Sequence, residues 1–416
     1  MTAFQENNET LSRNEYLATE LLKIVNSLPG FFPLKNELQE KLDNLRSVLQ
    51  GLRPPRVMVI GRSRSGKSSL INAICGLKVA KVSDTVPQTG MAEWKKYYHN
   101  GTDLLHILDT RGLQEAIAPR EYDSAKTPYE SIMQAVKKDC PDVILFVCKA
   151  EDVHVANQED LNICELIVGE IKTLYRRDLP IIGVLTKCDQ LSPPGVLLPT
   201  ENKRKNSNVQ EQVKSFFAFL REREILRRHV KEVVPTVTYA QYEDVENGLI
   251  LPDEDYRWNI TELAETMIRY TPSEIHGSLA RMAHIKKFQL HVARTIVTAC
   301  DVLCGFVSIN PIPGAAIPVV LPIQTFMVMY IGWLSGREFS DQTVKDFVVN
   351  AGIGVGVNVG MIYIADIALK FVPGFGSLLA AGAGAIATQG LGDAAIAYFL
   401  TLPDITRAKK YGSIEI

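Results

Sequence analysis

Residues 57–69 read Val57-Met-Val-Ile-Gly61-Arg62-Ser63-Arg64-Ser65-Gly66-Lys67-Ser68-Ser69. Four apolar residues run into GxxxxGK[ST], and a helical pattern begins directly behind it. That order confines the chain to a layered α/β architecture, with a strand, a tight loop and a helix N-terminus in succession. Gly61 and Gly66 let the backbone curl so that the N–H groups of Arg62, Ser63, Arg64, Ser65 and Ser69 can face an anion. The helix behind the loop adds its positive end. Lys67 is the side chain aimed at β- and γ-phosphate oxygens, and Ser68 is a hydroxyl placed for Mg²⁺. A complete motif in its required context leaves little room for coincidence.

The flanking sequence agrees with that architecture. Strands are predicted at Val57–Ile60, Glu93–His99, Leu104–Asp109, Val143–Cys148, Ile181–Leu185 and Val233–Thr238, alternating with helical stretches. The implied fold class is α/β, a mostly parallel sheet with helices on both faces. Pro193-Pro194-Gly195 and the charged run Glu201–Lys205 mark an exposed loop, and Ser207–Val230 reads as one amphipathic helix. Before this domain, Leu34, Leu38, Leu42, Leu45 and Leu49 form one helical stripe. Behind it the chain turns helical and apolar. Three domains are expected: N-terminal helices over 1–53 that pack with the C-terminal domain, a nucleotide domain over 54–270, and a Gly-rich all-α domain over 271–416.

Thr186-Lys187-Cys188-Asp189 closes the fifth strand and matches [NT]KxD, the guanine-reading motif. Asp189 can accept from guanine N1–H and N2–H₂, whereas adenine would leave the carboxylate unpaired. Discrimination of roughly 10⁴-fold is reasonable for such a site. Lys187 is expected to lay its stem over the base, and Tyr239 and Ala240 stand where a further base-side motif usually lies. Asp109-Thr-Arg-Gly112 resembles the DxxG motif of GTPases, which implies that Asp109 binds Mg²⁺ through water and the Gly112 N–H senses the γ-phosphate. Val86-Pro-Gln-Thr89 resembles the first switch of Era-type GTPases, which makes Thr89 the candidate hydroxyl completing the Mg²⁺ shell, with Thr85 as the fallback.

Motif order over residues 57–240 resembles the Era-like branch of the P-loop GTPases, and helices on both sides of that domain are similar to the layout of dynamin-like and immunity-related GTPases. The resemblance implies GTP as substrate, GDP as product and Mg²⁺ as cofactor. Two positions depart from the pattern. Leu113 follows DxxG where Ras-like proteins place a water-orienting Gln. Arg64 stands where other Era-like enzymes hold potassium with Asn, and where guanylate-binding proteins carry an internal arginine finger. Arg64 either supplies transition-state charge, with G-domain dimerisation pressing it inward, or faces solvent and adds positive potential.

The last third is uncharged over Gly305–Ser335, Phe347–Ala365 and Phe371–Gly392. The punctuation of Asn310–Gly332 and of Phe371–Phe399 resembles the apolar YcjF-type domain fused to Era-like GTPases, which implies membrane association. Pro311, Pro313, Pro318 and Pro322 argue against one straight spanning helix in the first run. The second and third runs approach the roughly 20 residues that spanning needs, and Gly352, Gly356 and Gly360 offer a small-residue face. Against spanning stand Asp366, Lys370 and Asp393. A compact helical domain packing on itself is the other reading.

Lys+Arg 45 against Asp+Glu 47 gives no basic footprint, so no nucleic-acid partner is expected. Seven Cys lie scattered without CxxC pairs, which reads as free thiols in a reducing compartment; Cys300 and Cys304 are expected to be buried. The polar opening residues contain no leader-like apolar core. The preferred reading is a cytoplasmic, membrane-associated hydrolase, peripheral or hairpin-inserted, that turns GTP into GDP and phosphate. The alternative is a slow GTP-dependent switch that docks a protein partner through a soluble helical domain.

Overall fold

The computed structural model describes residues 53–62, 64–79, 94–99, 102–109, 128–155, 158–245, 248–308, 317–340, 342–347 and 384–401. The expected N-terminal helices, and the sites expected at Ser63, Thr85, Thr89, Gly112 and Leu113, lie outside these residues. Leu52–Ile285 and the segment from Lys286 onward form two separate compact units. The nucleotide unit thus runs about fifteen residues beyond the expected boundary at 270.

The first unit is built on a six-stranded sheet in the order β2-β3-β1-β4-β5-β6. Its strands are β1 Arg56–Ile60, β2 Trp94–His99, β3 Thr102–Asp109, β4 Val143–Lys149, β5 Ile181–Thr186 and β6 Val230–Pro235. Only the β2–β3 pairing is antiparallel; β1 pairs in parallel with β3 and β4, and β5 with β4 and β6. The three central runs, RVMVI, VILFVCK and IIGVLT, are almost continuously apolar because helices cover both faces of a parallel sheet. Edge strand β2 instead exposes Lys95 and Lys96, which discourages pairing with another chain.

The connecting helices are α1 Lys67–Cys75, α2 Pro128–Lys138, α3 Gln158–Tyr175, α4 Lys203–Leu220, the short α5 Glu224–Arg227, α6 Ile260–Tyr270 and α7 His276–Met282. One continuous core joins Met58, Ile60, Phe146, Ile181 and Leu185 of the sheet to Ile167 and Ile171 of α3 and to Phe216 and Leu220 of α4. Two expectations are corrected here. The helix predicted over Ser207–Val230 starts earlier, at Lys203, and stops at Leu220. Charged residues of the following turn mimic helical spacing, yet Leu226 is buried and Val230 already belongs to β6. The sixth strand therefore sits three residues earlier than expected. A two-stranded antiparallel ribbon, β7 Ala240–Tyr242 and β8 Ile250–Asp255, follows it.

At the far end of the sheet, buried Asp142 gathers the chain entering the domain. Arg53 donates to its two carboxylate oxygens at 2.8 and 2.6 Å, and the Arg56 N–H donates at 2.9 Å. The Ser278 hydroxyl of α7 donates to Arg53 O at 2.8 Å.

In the second unit the described helices are α8 Lys286–Ser308, α9 Ile317–Leu334 and α10 Gly384–Ile396, the last running into a π-helical turn over Ala397–Thr401. α7 and α8 are separated at Ala283–Ile285, where His284 adopts a φ of 50°. α9 includes Pro318 and Pro322. Pro318 lies in its first turn, where a missing N–H is tolerated, and Pro322 in its second.

From Ile323 to Leu334 nearly every residue of α9 is buried, as befits a helix without a polar face. The buried Gln324 amide donates to Thr388 Oγ1 at 2.8 Å, and Gln289 donates to Leu334 O at 2.8 Å. α8 and α10 meet at Gly392, where an added Cβ would come within 2.5 Å of Val297. Cys300 and Cys304 are buried and form no disulfide, as expected. Among the described residues no helix is long and apolar enough to cross a membrane. Most of the two runs considered for a spanning hairpin lies outside those residues.

Candidate functional site

The phosphate loop leaves the C-terminal end of β1, between β3 and β4. Gly61 is required there by contact: a Cβ would sit 2.2 Å from Val147 O of β4. Gly66 caps α1 with a φ of 89°, in the left-handed region that glycine enters without strain. Its carbonyl accepts from Leu70 N at 2.8 Å, which starts the helix.

Lys67 is buried and bends back over the loop. Its ammonium donates to Gly61 O at 2.6 Å and Arg62 O at 2.7 Å. The chain thereby holds a cation at the centre of a ring of backbone groups. Ser65 Oγ is buried without a partner among the described residues. Ser68 and Ser69, in the first turn of α1, are half-buried. Arg62 is exposed, and so is Arg64, whose φ of 62° is unusual for a residue with a side chain.

Asp109 is the last residue of β3 and stands in register with Val59 of β1. The sheet therefore brings its backbone to the same end as the phosphate loop. The Ser68 hydroxyl is a hard oxygen donor of the kind Mg²⁺ takes.

Two strands from β1, β5 ends in Thr186, and the Lys187–Asp189 segment follows. The buried Thr186 hydroxyl donates to Ser65 O of the phosphate loop at 2.6 Å. Its role in this geometry is to join the two loops. Lys187 takes a φ of 57° and opens a 3-10 turn over Cys188–Gln190. The Cys188 N–H donates to Thr236 O at 3.2 Å, and the Thr236 N–H and hydroxyl both donate to Leu185 O, at 2.7 and 2.9 Å. Asp189 is half-buried on this turn.

Thr236 is thus the residue after β6 that touches the Cys188–Gln190 turn. Tyr239 and Ala240 lie farther on, at the ribbon. Ala240 pairs with Asp255, and the exposed Tyr239 ring stacks on Tyr256 with centroids 5.5 Å apart.

One further residue escaped sequence reasoning. Lys205 was assigned to an exposed charged run, yet its side chain is fully buried. Its ammonium donates to Asp189 O at 2.6 Å, to Leu191 O, and to Pro193 O at 3.4 Å. Burial pulls its pKa down, and the nearby Asp189 charge pushes it back up.

Comparison with known proteins fits this geometry. Residues 56–187 match the family described as 50S ribosome-binding GTPase. The chain is 24% identical over 270 residues to the tRNA modification GTPase MnmE of Photobacterium profundum, covering 62% of this chain and 57% of that one. It is 29% identical over 205 residues to the GTPase Der of Akkermansia muciniphila, covering 48% of this chain and 39% of that one. The chain thus spans less than two thirds of the length of these relatives. Among solved structures, the bacterial dynamin GTPase LeoA from ETEC aligns over 94% of this chain and 87% of that one, at 10% identity and a TM-score of 0.38. Residues 56–187 carry a P-loop GTPase domain.

Proposed function

We propose that the chain binds GTP between the phosphate loop and the Lys187–Asp189 turn, hydrolyses it to GDP and phosphate, and passes the state of the site to its helical unit. The observation that carries this reading is the Thr186 hydroxyl on Ser65 O at 2.6 Å. It fixes a phosphate cradle and a guanine-selective carboxylate in one frame. On nucleotide binding Lys67 exchanges two carbonyl partners for β- and γ-phosphate oxygens, so its charge is not left buried and unpaired at either stage. Ser68 and Asp109 would hold Mg²⁺, with Thr89 as the added ligand, and the bound ion would neutralise charge on the phosphate oxygens. The Gly112 N–H would report the γ-phosphate.

Arg64 is assigned the transition-state charge that Leu113 has no means of helping to organise. Its exposure on the loop supports recruitment by a second copy of the domain, paired across the nucleotides. The uncharged segments of the helical unit support association with a lipid surface. The burial of Ile323–Leu334 within that unit favours a second reading, a slow switch that docks a protein partner through a helical domain packed on itself.

The test is phosphate release from GTP and from ATP, over a range of protein concentration, with and without liposomes. GTP-specific turnover that rises with concentration or lipid supports the first reading, and flat, slow turnover supports the second. No GTP-specific release under any condition would remove hydrolysis from the account.

A further inference from the structure

The base-reading turn carries its function on Asp189, but very little of its own sequence holds it in place. Residues 189–200 contain three prolines and a glycine, and Leu191 and Leu198 are the buried apolar anchors. The carbonyls of this segment are instead taken up by the first two turns of α4. Lys205 donates to Asp189 O, Leu191 O and Pro193 O; Asn206 donates to Thr200 O at 2.8 Å; Asn208 donates to Ser192 O at 2.7 Å. The Asn202 side chain accepts from the Lys205 N–H at 3.0 Å and so fixes the start of the helix that presents them.

A lysine in the first turn of a helix is electrostatically misplaced, because its charge faces the positive end of the dipole. A fully buried one also gives up hydration. The arrangement is tolerable because three carbonyl oxygens replace that water, one from the residue that carries the reading carboxylate. The backbone of Asp189 is then held on both sides. The Cys188 N–H is bound to Thr236 O, and the Asp189 carbonyl is bound to the ammonium.

We propose that Lys205 is a positioning residue for base selection: its ammonium locks the 189–193 backbone so that the Asp189 carboxylate meets both guanine donors at once. This rests on the guanine-reading assignment of Asp189. A purely structural lysine would affect stability and all nucleotides alike. A positioning lysine sets the preference for guanine over hypoxanthine, which lacks the 2-amino donor.

The experiment is displacement of a fluorescent GDP analogue from the full chain by GDP and by IDP, in wild type and Lys205→Met, with melting temperature measured alongside. The expected result is a GDP:IDP affinity ratio reduced by about tenfold in the variant, the scale of one hydrogen bond to a charged acceptor. An unchanged ratio, whatever the melting temperature, overturns the proposal. Should the methionine variant not fold, Lys205→Gln is read in the same way, with an intermediate ratio expected and a wild-type ratio contradicting it. Loss of fold in both makes Lys205 a purely structural residue and also overturns the proposal. A wild-type protein that binds GDP and IDP equally would instead undo the base-reading assignment itself.

Discussion

The phosphate loop and the base-reading turn close strands of the same sheet, and each centres a lysine ammonium on backbone carbonyls. The difference lies in where the lysine comes from. Lys67 belongs to the loop it fills, and its partners Gly61 O and Arg62 O can be given up when phosphate arrives. Lys205 reaches in from α4, fourteen residues beyond Leu191, and its partners are carbonyls that no ligand replaces. A loop that must exchange partners carries its cation within the motif; a loop that must hold still borrows one from a neighbouring helix. Thr186 joins the two, so a fault in either is felt by the other.

The largest effect is expected at the exchanging loop. Lys67→Ala removes the side-chain cation centred on the cradle, and affinity for GTP should fall at least about a hundredfold. Near-wild-type affinity by fluorescence titration would show that the cradle binds without its lysine. Next comes Arg64→Ala. Turnover should drop tenfold or more while GTP affinity changes little, since a transition-state cation is worth roughly 10³–10⁵ in rate. Equal turnover in mutant and wild type would leave Arg64 as a solvent-facing residue.

Thr186→Val sharpens the link between the loops. It leaves Ser65 O without its donor, at a cost of about 1–3 kcal/mol in urea unfolding, and it should weaken guanine and phosphate contacts together. A variant that lost base preference alone would mean the loops are independent. The smallest effect is expected for Asn208→Ala, which removes an exposed donor to Ser192 O; its affinity for GDP should stay within about threefold of wild type. A larger loss would show that the neutral staples matter as much as the ammonium of Lys205.

Legibility in the sequence followed the same division. Lys67, Gly61 and Gly66 were readable because chemistry and spacing coincide in one short motif, and the central strands because both-face burial leaves nearly continuous apolar runs. Lys205 was hidden inside Glu201–Lys205, where charge normally marks a solvated surface; only the folded loop shows three carbonyls waiting for it. The β7–β8 ribbon was missed because ILPDED has no apolar alternation, and its exposed face needs none. Tyr239 and Ala240 were placed by distance along the chain from a strand that ends three residues earlier than its valines suggest.

The central claim is that this fold presents Asp189 to a guanine ring. Competition between GTP and xanthosine triphosphate, in wild type and in Asp189→Asn, tests it most directly. An amide presents a donor where the carboxylate presented only acceptors, so it suits the xanthine 2-oxo group and no longer accepts from both guanine donors. The account predicts that wild type strongly prefers GTP and that Asp189→Asn shifts the preference toward xanthosine triphosphate. The same preference for GTP in both proteins would contradict it.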